Sequence, residues 1–287
     1  MVLDTNYFRA LKAADLAPLH AQGFEFSVGM SAFYETWAAA AREGKPGIII
    51  GPSKELRAIV DPALPIAPNA GDILRRFAIR RGASERAKVT PRYVAWATLN
   101  WQIASTGNVD DAALQSVGLD ADTYLTRRGR SWKEYARLLP ATEQGLLKEA
   151  GPRRGRARLV AHITGSLSSR GLRAGLARRR LHAFFQVAAL HMWNTALGAT
   201  MSTENDSEDL VSLMHLAEPA YLLTHDDKLI RAVDAAGTYQ APWVVRLSEL
   251  MDENRPRGRP WGIAARELAA GFRRPECTGR CALCRRA

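Results

Sequence analysis

Hydrophobic and polar positions alternate with two different periods along this chain, and the changes of period mark its elements. Val2-Leu3 is a short apolar run closed by the polar triplet Asp4-Thr5-Asn6, which reads as a strand ending at residue 3. Phe8, Leu11, Leu16 and Leu19 follow as the apolar face of a helical stretch, and Gln22-Gly23 breaks it. Phe24-Glu25-Phe26-Ser27-Val28 alternates and predicts a second strand. Ser31 is placed to cap an Ala-rich helix over 32–43 that Gly44 stops. Pro46, Pro52, Pro62, Pro65 and Pro68 make residues 45–72 a connector with short pieces. From about 72 to 200 the spacing is helical, with a polar break at Gly107-Asn108 and further helical stretches around 114–124, 132–147 and 181–198. A polar turn at 202–207 leads into a helix over 208–216 that Asp206 or Ser207 would cap. The continuous apolar run Ala220-Tyr221-Leu222-Leu223 predicts a buried strand, followed by Thr224-His225-Asp226-Asp227 and a helix over 228–236. Val244-Val245 is a last short strand before a helix over 247–251.

Strands therefore alternate with helices at both ends of the chain, which is the pattern of a parallel α/β sheet. The sequence predicts a discontinuous sheet domain over 1–45 and 181–251, a mainly helical basic insertion over 46–180, and a basic tail over 252–287 that carries all three cysteines. A length of 287 residues with 47% hydrophobic and 24% charged residues gives globular proportions and excludes whole-chain disorder. No run approaches the roughly 18 apolar residues of a membrane span. An acid at position 4, where an export signal needs a basic start, makes the cytoplasm the expected location. Three cysteines cannot make a disulfide framework. Cys277, Cys281 and Cys284 share the spacing that radical S-adenosylmethionine enzymes use for an iron–sulfur cluster, but those enzymes carry it early in the chain. A zinc site there would need a fourth ligand from elsewhere. The six histidines show no ligand spacing; His225 stands beside Asp226, where neighbours in a strand point to opposite faces.

The net charge is +11 and the pI near 10.0, which favours a polyanionic partner. That charge has an address: residues 151–180 hold nine arginines and no Asp, Glu or Lys. Arg153, Arg154, Arg156, Arg158, Arg178, Arg179 and Arg180 are the candidates for holding a nucleic-acid backbone, because the guanidinium presents a planar fork of donors to phosphate oxygens.

The acids are distributed differently. In an open parallel sheet, ligands bind outside the carboxyl ends of the strands. Asp4 directly follows the first strand, and Asp226 follows the 220–223 strand by two polar residues. Glu35 lies one turn into the helix after the second strand, and Asp206 and Asp209 open the helix before the Asp226 strand, three residues apart and so able to share a face. Each has a plain structural role open to it: Asp4 as a helix cap, Glu35 as a solvated residue, Asp206 and Asp209 as acids complementing a helix dipole. Taken together they form an oxygen-rich cluster that suits Mg²⁺ or Mn²⁺ and that needs a cation to stay ionised.

VLDTN at 2–6, the acid of SAFYETW at 31–37, NDSEDL at 205–210 and LLTHDDKL at 222–229 together resemble the PIN-like domain family of metal-dependent ribonucleases. In that family a first Asp closes strand one, a Glu follows on a later helix, and an Asp begins a helix leading to a strand that ends in Thr-x-Asp-x-x-Leu. The matching positions are Asp4, Glu35, Asp209 or Asp206, and Asp226, with Thr224 and Leu229 completing the last pattern. The resemblance covers roughly 1–45 and 181–251. It leaves the long helical middle, which the family's usual compact domain lacks, unexplained. It implies a three-layer α/β/α fold, one or two Mg²⁺ or Mn²⁺ ions held by the carboxylates, and hydrolysis of phosphodiester bonds in RNA. Thr5, Asn6 and Thr224 would orient the ligands. Members of the family often act as growth-inhibiting toxins, so an antitoxin or a second copy of the chain joins RNA among the expected partners. The competing expectation is a non-catalytic nucleic-acid-binding or adaptor protein on the same scaffold.

Overall fold

The computed structural model describes residues 1–75, 77, 92–169, 173–199, 201, 206–217 and 220–251. The cysteine tail predicted over 252–287 lies outside them. Five short strands form one all-parallel sheet: β1 (Val2–Leu3), β2 (Ser27–Gly29), β3 (Ile66–Ala67), β4 (Leu222–Leu223) and β5 (Val244–Val245), in the order β3-β2-β1-β4-β5. β1 is central, pairing Val2 with Ser27 and Leu222, and Leu3 with Val28 and Leu223. Its apolar dipeptide is buried on both faces, as a central parallel strand requires.

This register sorts the strand residues into two apolar layers. Val2, Ala67, Leu222 and Val244 join one buried cluster with the helices His182–Ala196 and Asp227–Ala236. Leu3, Val28, Ile66, Leu223 and Val245 join the other with the helices Thr5–Ala10, Met30–Glu43 and Gly47–Leu56. Helices thus cover both faces of the sheet, an α/β arrangement consistent with three α/β/α layers. A long helical segment, Asp111–Ser169, contributes Leu114, Val117 and Ala121 to the second cluster and Leu159, Val160 and Ile163 to the first. Its axis is interrupted once, at Gly151 with φ 72° and ψ 169°. Two of its glycines permit close approach: a Cβ at Gly118 would lie 2.1 Å from the Ala41 Cβ, and one at Gly155 would lie 2.0 Å from the Trp193 ring.

Four expectations change. The helix expected over 208–216 runs over Asp206–Ser212 and tightens into a 3₁₀ turn over Leu213–Ala217, so Asp206 and Ser207 are helical residues instead of caps. The helix predicted from residue 32 begins at Met30 with Gly29 as its cap, so β2 passes straight into it and Ser31 is a buried first-turn residue instead of the cap. The segment counted as the start of the insertion supplies β3, whose Ile66 pairs with Val28, so sheet-forming chain extends beyond residue 45. The separate stretches predicted at 114–124 and 132–147 belong to one helical segment. Among the described residues, no helix is long and apolar enough to cross a membrane.

Candidate functional site

The chain runs from β1 outward to β2 and β3, then crosses back to β4 and β5 on the other side of β1. β1 and β4 therefore flank the point where the winding reverses, the place at which doubly wound sheets open a crevice. A pocket of about 230 Å³ occupies it. Asp4, Glu35, Asp209 and Asp226 all line it, together with Thr5, Asn6, Thr224 and Ser31.

Each acid is delivered by a strand end or a helix start. Asp4 continues the sheet through its N–H to the Leu223 carbonyl (3.1 Å) and then caps the helix Thr5–Ala10, its Oδ1 accepting from the Tyr7 N–H at 2.9 Å. Asp226 caps the helix Asp227–Ala236, its Oδ1 accepting from the N–H groups of Lys228 (2.7 Å) and Leu229 (3.1 Å). Thr224 is fully buried between them. Its hydroxyl accepts from the Asp226 N–H at 3.0 Å and bonds the Asp4 side chain, tying the ends of β1 and β4 together. Glu35 projects from the helix Met30–Glu43, and its Oε2 accepts from the Thr5 hydroxyl at 2.7 Å. Asp209 comes from the helix Asp206–Ser212.

Burial raises the pKa of each of Asp4, Glu35 and Asp209 above the ordinary carboxylate range. For Asp4 the bonds from Thr224 and Tyr7 work in the opposite direction. For Glu35 the Thr5 hydroxyl and Arg9 offset the burial, while the charges of Glu208 and Asp4 add to it. Asp209 is displaced furthest, to about 7, through burial first and then the charges of Asp226, Asp206 and Glu35, with Lys228 opposing. Among the described residues, no three His, Cys, Asp or Glu side chains stand close enough together to hold a metal ion as they are. Asp4, Glu35 and Asp226 are each held by local hydrogen bonds, and like charges drawn together without a counter-ion repel.

The choice left open between Asp206 and Asp209 resolves in favour of the latter as a pocket residue. The Asp206 carboxylate, in a residue only 5% exposed, turns away: Oδ1 accepts from Lys228 Nζ at 3.0 Å and Oδ2 stands 3.6 Å from His191 Nε2. A spacing of three on a helix leaves an angular offset of about 60°, enough to point the two acids at different neighbours.

Arg9, Glu208, Ser212 and His215 also line the pocket and went unforeseen as site residues. Arg9 lies four residues after Thr5 on the same helix and so on the same face, a spacing visible in the sequence. Its Nε donates to the Thr36 hydroxyl and its Nη2 to the Glu35 carbonyl, both at 3.1 Å, which fixes the guanidinium at the pocket wall.

The arginines of 153–180 stand elsewhere. Arg156 donates to the Ala235 carbonyl at the far end of the helix that Asp226 begins. That helix has 10 residues and therefore spans about 15 Å. The Arg180 guanidinium donates to the Ala217 carbonyl ahead of β4, and the Arg179 carbonyl accepts from the Tyr239 hydroxyl ahead of β5. Arg153, Arg154, Arg158 and Arg178 are exposed on the same two helices. Arg156, Arg179 and Arg180 thus sit toward the amino ends of β4 and β5, away from the carboxyl ends where the pocket opens, and none of the seven arginines lines the pocket.

No family model, curated protein or solved structure matches the chain.

Proposed function

We propose that the chain is a metal-dependent nuclease of the PIN-like type, which hydrolyses phosphodiester bonds in nucleic acid, with RNA as its substrate. The observation that carries the reading is the convergence of Asp4, Glu35, Asp209 and Asp226, from four separate parts of the chain, on one pocket at the reversal point of the sheet. The donor set fits Mg²⁺ or Mn²⁺: all four groups are hard oxygen donors, and burial raises the pKa of Asp4, Glu35 and Asp209, with neighbouring carboxylates adding to the rise at Glu35 and Asp209, so that a cation would relieve the cost of ionising them. Asp4, Glu35, Asp209 and Asp226 would hold the ion. When bound, it supplies Lewis-acid activation of water and neutralisation of charge on the phosphate.

The protein's own residues do the positioning. Thr5 orients Glu35, and Thr224 orients Asp4 while fixing the turn that carries Asp226. Arg9 supplies fixed N–H donors at the wall, suited to a phosphate oxygen. Asp206, paired with Lys228, tunes Asp209 through its charge. The test is cleavage of end-labelled RNA with Mg²⁺ or Mn²⁺ against EDTA, in wild type and in the Asp4→Asn and Asp226→Asn proteins, with circular dichroism confirming the fold. Metal-dependent cleavage lost in both variants supports the reading, and cleavage retained in both overturns it.

A second reading, nucleic-acid binding without hydrolysis, draws on the separation of the arginines from the acids. It predicts steeply salt-dependent binding that Arg153→Ala with Arg154→Ala weakens and Asp4→Asn does not, without cleavage under any metal condition. An antitoxin or a second copy of the chain, the partners implied by the family resemblance, would be sought by co-purification and by sedimentation of the wild-type chain.

A further inference from the structure

The pocket is smaller than the roughly 300 Å³ at which small-molecule sites begin, so it suits an ion and a phosphate group and leaves the bases at its rim. Thr224 and Asp226 line the pocket, and the residue between them, His225, is exposed and near enough for its charge to act on Asp4. Its imidazole is stacked on Tyr7, with ring centroids 4.0 Å apart and planes inclined by 25°. Tyr7 is fully buried and fixed at two points: its N–H donates to Asp4 Oδ1 at 2.9 Å, and its hydroxyl oxygen accepts from the Leu247 N–H at 2.6 Å. A rigid ring thus backs an exposed one, one residue from the carboxylate of Asp226. Among the described residues, Tyr7 is the one ring that His225 meets.

An exposed aromatic face held in place beside a backbone-cleaving site is the element with which single strands are gripped, because every base has a π-face and stacking costs a preordered ring little entropy. A base inside a duplex is already stacked on both sides and cannot use it. We propose that the outer face of His225, backed by Tyr7, is a base-stacking shelf that selects single-stranded nucleic acid for the pocket. The proposal rests on the reading of that pocket as a phosphodiester site. The substrate class follows from it: an unpaired segment whose phosphate sits over the acids while a flanking base lies on the imidazole.

The test is equilibrium binding of fluorescent oligouridylate to the full chain in EDTA, so that binding is read without turnover, beside the same strand in duplex form. His225→Ala is expected to lose at least about fivefold in affinity for the single strand, the low end for removal of one aromatic stack, and to leave duplex binding unchanged. His225→Phe keeps an aromatic face and is expected to bind within about twofold of wild type. The exposed position of His225 leaves both variants folded. Unaltered binding by His225→Ala, a loss in His225→Phe equal to that in His225→Ala, or wild-type binding that does not prefer the single strand would each overturn the proposal. Its failure is distinguishable from failure of the nuclease reading. Binding that depends on His225 without metal-dependent cleavage sinks the nuclease alone, and cleavage with His225→Ala binding as wild type sinks the shelf alone.

Discussion

Replacing Asp209 with Asn should stabilise the metal-free protein, and by an amount that depends on pH. The Asp209 carboxyl titrates near 7 in the folded chain against an ordinary value of 3.8, because burial and the charges of Asp226, Asp206 and Glu35 disfavour its ionised form. Below pH ~4 the group is neutral whether folded or not and costs nothing. Between pH ~4 and ~7 the unfolded chain loses that proton and the folded chain keeps it, so stability falls by about 1.4 kcal/mol per pH unit. Above pH ~7 the cost levels off at about 4 kcal/mol, an upper value because Asp209 is only partly buried and solvent screens some of the repulsion. Asn has the same shape and never carries the charge. Urea denaturation of Asp209→Asn and wild type in EDTA should therefore give similar stabilities near pH ~4 and a clear gain for the variant near pH ~8. Excess Mg²⁺ at the higher pH should narrow the gap, since a ligand at a hundred times its Kd adds about 2.7 kcal/mol to the protein that binds it. A variant less stable than wild type at pH ~8, or a gain equal at both pH values, would refute the electrostatic argument.

Other expectations follow from single contacts. Arg9→Ala should weaken binding of single-stranded RNA about tenfold, as loss of a charge-assisted hydrogen bond does, and Arg9→Lys should restore little of it because an ammonium cannot bond both Thr36 and the Glu35 carbonyl from one planar fork; fluorescence anisotropy reads both. Thr224→Val removes the hydroxyl that bonds the Asp4 side chain, so Asp4 should ionise at a higher pH and the pH–rate profile for cleavage should move upward, with a stability loss of about 1–3 kcal/mol. Gly118→Ala would force apart two helices, its Cβ meeting the Ala41 Cβ at 2.1 Å, and should cost about 1–3 kcal/mol, whereas Gly165→Ala in the same helical segment meets open space and should gain up to about 1 kcal/mol; thermal melts of the pair separate packing from propensity.

What was legible in the sequence depended on how locally it was determined. β1, β4 and β5 are apolar runs closed by polar residues, and the acids Asp4 and Asp226 could be placed at strand ends from those runs alone. β3 was hidden because it is two residues long between Pro65 and Pro68, too short for any period to register, and exists through its pairing with Val28 and Gly29. Ser31 looked like a cap because residue type favours that role, but the close passage from β2 into the helix moved the cap to Gly29 and turned Ser31 to the pocket. The helix Asp206–Ser212 shows the same limit within the site. Asp206 and Asp209 are equivalent in sequence, and Lys228 and His191, brought in from two other elements, decide which of them faces the crevice. The arginine-rich stretch was visible as charge, but its place away from the pocket is a tertiary fact, set by Arg156 meeting Ala235 and Gly155 meeting Trp193.

The central claim is that Asp4, Glu35, Asp209 and Asp226 together hold a divalent cation. Anomalous diffraction from a crystal of the chain soaked in Mn²⁺ tests it most directly. The account predicts one or two manganese peaks inside the pocket, coordinated by oxygens of those four carboxylates and absent in the Asp4→Asn protein. A manganese peak on Asp206, or none near the ends of β1 and β4, would contradict it.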